Sequence, residues 1–273
     1  MTDSLTGARL KLNRARYHLE VLRGELAAFN AGEPYRIAHE PNADGSEHIF
    51  RAKVRKEPPP FFGIIVGDAL QNMRASLEHL AWGLAFRDKG STPSRFTSFP
   101  ICRTSKAFFE VSKKTGTYSY RSGAHKISEI TDVRVKAAIQ DLQPYKRRDP
   151  DEDWLFILNE LARVDRHQSL SVVGAVNPSV TYGWRKRGTR GPFVMDLSVI
   201  KHTEVQLLKA FEPDAIIGDF RFNEPEMEVD FKSPPYITFR DEGPAKSRHV
   251  LGTLTSIRRH IESVVIPKLE GFF

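Results

Sequence analysis

The stretch FFGIIVGDALQNMRASLEHLAWGLAFR, Phe61–Arg87, decides how the rest of the chain is read. At about 100° per residue, Val66, Leu70, Met73, Leu77, Leu80 and Leu84 line one side of a helix, while Ile64, Ala75, Trp82 and Phe86 line the opposite side. A helix apolar on two faces is expected to pack on two faces. Asp68, Asn72 and His79 run down the middle of the second stripe, within roughly 40° of one another by the same count. Burying such groups without partners is costly. The pattern therefore predicts an inward-facing polar layer that finds its mates on a neighbouring element.

Upstream, Leu5, Leu12, Leu19, Leu22, Leu26 and Phe29 give an amphipathic helix over Ser4–Asn30, stopped by Ala31-Gly32-Glu33-Pro34. Tyr35–Glu40 and His48–Lys56 are alternating segments joined through Asp44-Gly45, a hairpin signal, and Pro58-Pro59-Pro60 closes that ribbon. Downstream, a loop rich in Ser, Thr, Gly and Pro leads to Phe99-Pro100-Ile101. Short helices are expected over Thr104–Lys114 and Ser128–Leu142, with a polar loop at Thr115–His125. Asp153 is a sound N-cap for a helix over Trp154–Gln168, whose buried stripe carries Trp154, Leu158, Leu161, Ala162 and Asp165. An aspartate on an apolar face needs a partner, and Asp165 is the natural mate for the Asp68, Asn72 and His79 layer.

The periodicity then changes to alternation. Leu170–Val176, Val180–Lys186, Pro192–Val199, Glu204–Phe211, Ile216–Arg221, Glu226–Phe231 and Tyr236–Arg240 are strand candidates. A final helix over Ala245–Glu270 returns to the helical layer. The expected fold is α+β: a helical core over 1–168 with a small hairpin near 35–56, an antiparallel β region over 169–241, and a C-terminal helix over 245–273, integrated into one domain.

Forty per cent hydrophobic and 27% charged residues are ordinary for a globular protein of this length. The opening MTDSLTGARLKLNRAR has no apolar core of the kind a signal peptide needs, and no run approaches the ~18 apolar residues of a membrane span. The single cysteine, Cys102, excludes an internal disulfide and a cysteine-cluster metal site, so the expected compartment is the cytoplasm, with no membrane partner. A net charge of +7 permits a polyanionic partner. No glycine-rich phosphate loop follows a strand and no G-x-S-x-G elbow occurs, which disfavours nucleotide-dependent and serine-hydrolase chemistry. No cofactor and no metal are expected; His79 and His167 lie far apart and outside any HExxH motif.

Three constellations carry chemistry. Asp68, Asn72, His79 and Asp165 form either a poised acid/base site or a satisfied layer that fixes helix register. Arg74 and His79 have Arg-x4-His spacing with Glu78 beside them; a metal-free ribonuclease needs histidine to relay the 2′-hydroxyl proton and arginine to stabilise charge on the phosphate. Trp184, Arg185, Lys186, Arg187 and Arg190 are the densest basic cluster, placed at a hairpin tip with an aromatic that could stack on a base.

The Arg-x4-His pattern resembles the signature of HEPN-superfamily proteins, which are helical bundles that often dimerise and often cleave RNA. That resemblance covers the central helix only. Ala75 stands where that family usually carries a polar residue, and the β-rich section is foreign to a minimal bundle. A second set of motifs is similar to a widespread bacterial family of uncharacterised proteins. It comprises Gly67-Asp68-Ala69-Leu70-Gln71-Asn72-Met73-Arg74 through Glu78-His79-Leu80-Ala81-Trp82, Phe99-Pro100-Ile101, Leu142-Gln143-Pro144-Tyr145, and Asn159-Glu160-Leu161 through Asp165-Arg166-His167. This second resemblance implies that the helices of Asp68 and Asp165 belong to one unit, and brings no activity with it.

Two functions follow as expectations. In one, the protein binds RNA and cleaves it, His79 acting as acid/base and Arg74 as phosphate clamp, with a homodimer as the expected assembly. In the other it is a non-catalytic interaction protein whose polar layer is structural. Exposure discriminates between them: catalysis requires His79 and Arg74 to open onto one cleft, whereas a structural layer is sealed.

Overall fold

The long helices at the head of the chain form an antiparallel pair. The computed structural model describes residues 4–168, 170–234, 236–240 and 243–273. Helix α1, Ser4–Ala31, buries Ala8, Leu12, Ala15, Leu19, Leu22, Leu26 and Phe29. Their alternating spacing of four and three is the seam of a coiled coil. That seam packs along α2, Phe61–Lys89, whose Val66, Leu70, Met73, Leu77, Leu80 and Leu84 are sealed from water. Gly90 ends α2 in the left-handed conformation that its φ of 69° requires. Helix α6, Trp154–Asp165, starts at Asp153, whose carboxylate accepts the backbone N–H groups of Leu155 and Phe156, and packs on α2 as expected. Helix α7, Val250–His260, continues through a π-turn at Ile261–Val265 into α8, Ile266–Glu270, and returns to α1, α2 and α6.

The fold is α+β. The early ribbon of β1, Tyr35–Pro41, and β2, Glu47–Val54, joins strands from the far part of the chain. Its sheet has the antiparallel order β1-β2-β6-β5, with β5 at Ile200–Val205 and β6 at Ile216–Phe222. Two more antiparallel pairs flank it: β3, Val172–Ala175, with β8, Tyr236–Phe239, and β4, Thr181–Lys186, with β7, Met227–Lys232. The β region has its own aromatic core, in which Phe50, Trp184, Phe220, Phe222 and Phe231 are buried together. Among the described residues, no helix is long and apolar enough to cross a membrane.

Several local expectations are corrected. The second apolar stripe of α2 is not packed: Phe61, Ile64, Trp82 and Phe86 are exposed, and so is Asp68. Asp68 and Asn72 share that face, and their hydration is retained by leaving it uncovered. Pro192–Val199 is not a strand. Pro192 has no N–H for a ladder, and Asp196 folds the chain into a turn by accepting the Ser198 N–H at 2.9 Å. The strand placed at Glu204–Phe211 lies earlier, at Ile200–Val205, because Leu208 adopts a φ of +60° that ends the extended run. The expected helix at Thr104–Lys114 survives only as α3, Ser105–Phe108; Val111 instead bridges Tyr118 across a tight ribbon. Helix α5 is confined to Val133–Asp141, capped by Asp132. The remaining short helix, α4, is Gly123–Lys126.

Candidate functional site

Asp68, Asn72, His79 and Asp165 do not form a single buried layer. Asp165 does meet α2, but through Gly67 and Gln71: the Gln71 side-chain amide donates to Asp165 Oδ2 at 2.9 Å. A Cβ on Gly67 would come within 2.0 Å of Asp165 Oδ1, so only glycine lets the two helices approach this closely. Asp68, one residue on, turns instead toward α1 and lies 3.9 Å from His18 Nδ1. Asn72 donates back to the Asp68 carbonyl at 2.8 Å. His79 faces α1 at Gly7, where an added Cβ would lie 2.9 Å from Nδ1. The shared angular position of Asp68, Asn72 and His79 was legible in the sequence. Which neighbour that face meets was not, because a moment of the helix alone cannot rank α1 against α6.

Arg74 and Glu78 act as one unit. They pair at 2.7 Å, and together they grip one residue of the incoming loop: Arg74 Nη2 donates to the Phe99 carbonyl at 2.8 Å and Glu78 Oε2 accepts the Phe99 N–H at 2.8 Å. Burial pushes the Arg74 guanidinium below its usual value, against the opposing pull of Glu78. Gln143 extends the clamp by accepting the Cys102 N–H at 3.0 Å and donating to the Pro100 carbonyl at 2.9 Å. The Phe99-Pro100-Ile101 motif is thus a docked segment. Burial also raises the Cys102 thiol, which disfavours a reactive thiolate.

His79 opens onto a groove of about 480 Å³ lined by Glu78, His79, Trp82, Arg95, Thr97 and Ser98. Among the described residues its imidazole makes no hydrogen bond or ion pair. Arg74 does not line this groove; Arg95 does, stacked 5.0 Å above the Phe96 ring. The wall carrying Arg95 is anchored by Glu129, which accepts the Ser94 N–H at 2.5 Å and the Thr97 hydroxyl at 2.8 Å and pairs with Lys89. These bonds hold the Glu129 carboxyl down to about 2. Neither Arg95 nor Glu129 stood out in the sequence: Arg95 sits in an aperiodic loop, Glu129 reads as part of a helix that begins only at Val133, and their relation to His79 exists only after the loop has docked.

The basic cluster of β4 is differently employed from what its composition suggests. Trp184 is 2% exposed, and its indole N–H donates to the Asp196 carbonyl at 3.0 Å, so it cannot stack on a base. Arg185 pairs with Glu228 at 3.0 Å and covers the Phe193 ring. Lys186 donates to the Pro225 carbonyl at 2.7 Å. Arg187 and Arg190 are exposed. His167 is also exposed, beyond the end of α6. No family model, no curated protein and no solved structure matches the chain.

Proposed function

We propose that the groove beside His79 binds single-stranded RNA and cleaves it without a metal. The observation that supports this reading is an unpartnered imidazole and a guanidinium facing one open groove, at His79 and Arg95. In the reaction, His79 takes the proton of a 2′-hydroxyl as the 2′-oxygen attacks the adjacent phosphorus. The P–O5′ bond breaks, a 2′,3′-cyclic phosphate forms, and the 5′-oxygen takes a proton from water. Arg95 replaces Arg74 as the group that balances charge on the phosphorane, because the guanidinium of Arg74 is committed to Glu78 and Phe99. Trp82 offers an exposed ring for a base. A cytoplasmic location accords with this substrate and with the lone, buried Cys102. The test is cleavage of a labelled RNA. His79→Ala should abolish it, and Arg95→Ala should slow it by about a hundredfold. Undiminished cleavage by either variant would overturn the assignment of that residue.

A second reading, an interaction protein that pairs with its own copy, is favoured by the uncovered stripe of α2. In an antiparallel two-fold pairing centred between Met73 and Arg74, Phe61 meets Phe86 of the other copy. The apolar ends of the stripe are therefore self-complementary, as an isologous contact requires. Sedimentation equilibrium decides this reading. Ile64→Asp and Phe86→Asp should each yield monomers. A monomeric wild type at high concentration would exclude it.

A further inference from the structure

The ribbon between α3 and α4 is a second candidate surface. Its two arms are pinned by Ser112 N–H to the Thr117 carbonyl at 2.8 Å and Ser119 N–H to the Glu110 carbonyl at 2.8 Å, and Gly116 turns the tip with a φ of 70°. Val111 pairs with Tyr118, and the ring of Phe109, the C-cap of α3, meets the Tyr118 ring with centroids 6.5 Å apart. Val111 and Tyr118, directly opposed across the ribbon, share a face, and Phe109 joins it through its ring contact with Tyr118. Phe109, Val111, Tyr118 and the neighbouring Tyr120 are 40%, 51%, 47% and 58% exposed, respectively. An aromatic face of this kind in water signals a ligand. The charges of the segment specify which one: from Lys106 to Arg121 the chain carries Lys106, Lys113, Lys114 and Arg121 against the carboxylate of Glu110. Arg121 lies 5.2 Å over the Tyr120 ring and donates to its hydroxyl at 2.7 Å.

From these observations we infer that the Phe109–Arg121 ribbon is a stacking platform for single-stranded RNA, with Tyr118 and Tyr120 receiving bases and Lys113, Lys114 and Arg121 tracking the phosphates. Rings that accept any base, beside cations that follow a backbone, are what sequence-tolerant single-strand binding requires. The platform leads toward the His79 groove. Arg121 and Ser122 run into α4, whose His125 ring contacts Phe96 at 6.1 Å and whose Lys126 carbonyl accepts the Ser98 N–H at 3.2 Å. Phe96 flanks Arg95, and Ser98 lines the groove itself. The inference takes its choice of polymer from the RNA reading above, and otherwise stands on the ribbon alone.

The test is fluorescence anisotropy of a labelled oligouridylate with 2′-O-methyl riboses, which the protein can bind but has no 2′-hydroxyl to attack. Tyr118→Ala and Tyr120→Ala should each weaken binding roughly tenfold. Lys113→Glu with Lys114→Glu should flatten the salt dependence. Because these side chains are exposed, melting temperatures should not change, and a variant that melts early is replaced by Tyr→Leu at the same position. Binding that stays within about twofold of wild type in the doubly ring-less protein overturns the inference, while cleavage that still depends on His79 leaves the RNA reading intact. Ring-dependent binding with no cleavage supports the platform and overturns the ribonuclease. Absence of any binding by the wild type, or loss of self-association on removing the rings, assigns the ribbon to a protein partner and overturns the inference.

Discussion

Arg74 is the residue whose chemistry is easiest to misassign. Its spacing from His79 invites a catalytic role, but its guanidinium closes a clamp on both backbone polar groups of Phe99 with Glu78. Truncating it leaves Glu78 and the buried Phe99 carbonyl short of a partner. Arg74→Ala is therefore expected to cost about 2 kcal/mol in urea unfolding, whereas Arg95→Ala leaves stability unchanged and affects only what the groove binds. Glu129 gives a pH signature. Its folded carboxyl sits at about 2, below the ordinary value of 4.5, so its contribution is complete above pH 4.5 and is lost as the pH falls from there toward 2. Thermal melts over that interval should fall more steeply for the wild type than for Glu129→Gln. Equal slopes would show that the loop wall is held by something else.

At the scale of elements, periodicity carried much of the fold. The α1 seam, the leucine face of α2, the Asp153 cap and the hairpin at Asp44-Gly45 are local patterns that survive in the structure. The failures share a cause. The second stripe of α2 is apolar in composition but carries Asp68 and Asn72, and periodicity does not say whether such a face is covered. Likewise Phe109, Val111 and Tyr118 read as parts of a helix and a loop, because only the Val111–Tyr118 bridge brings them together. The α2–α6 contact is sharper evidence of tertiary constraint. Gly67→Ala improves helix propensity yet forces the Asp165 carboxylate off its seat beside Gln71. The expected outcome is a loss of about 1 to 3 kcal/mol, read from chemical denaturation. A neutral or stabilising result would mean that α6 shifts freely along α2.

Over the whole molecule, the chain builds two cores, an aliphatic one among the helices and an aromatic one in the β region, with Tyr35 packed against both. The early ribbon belongs spatially to strands more than 150 residues later, which no local pattern announces. The exposed ribbon and the His79 groove both lie on the helical side of the molecule. The proposed action of His79 on RNA is read at the ends of the strand. The most direct measurement maps the ends left on a short RNA after incubation with wild type and with a folded His79→Gln variant. The account predicts 2′,3′-cyclic phosphate and 5′-hydroxyl ends with the wild type and intact RNA with the variant. Intact RNA in both, or the same ends at the same rate in both, would contradict it.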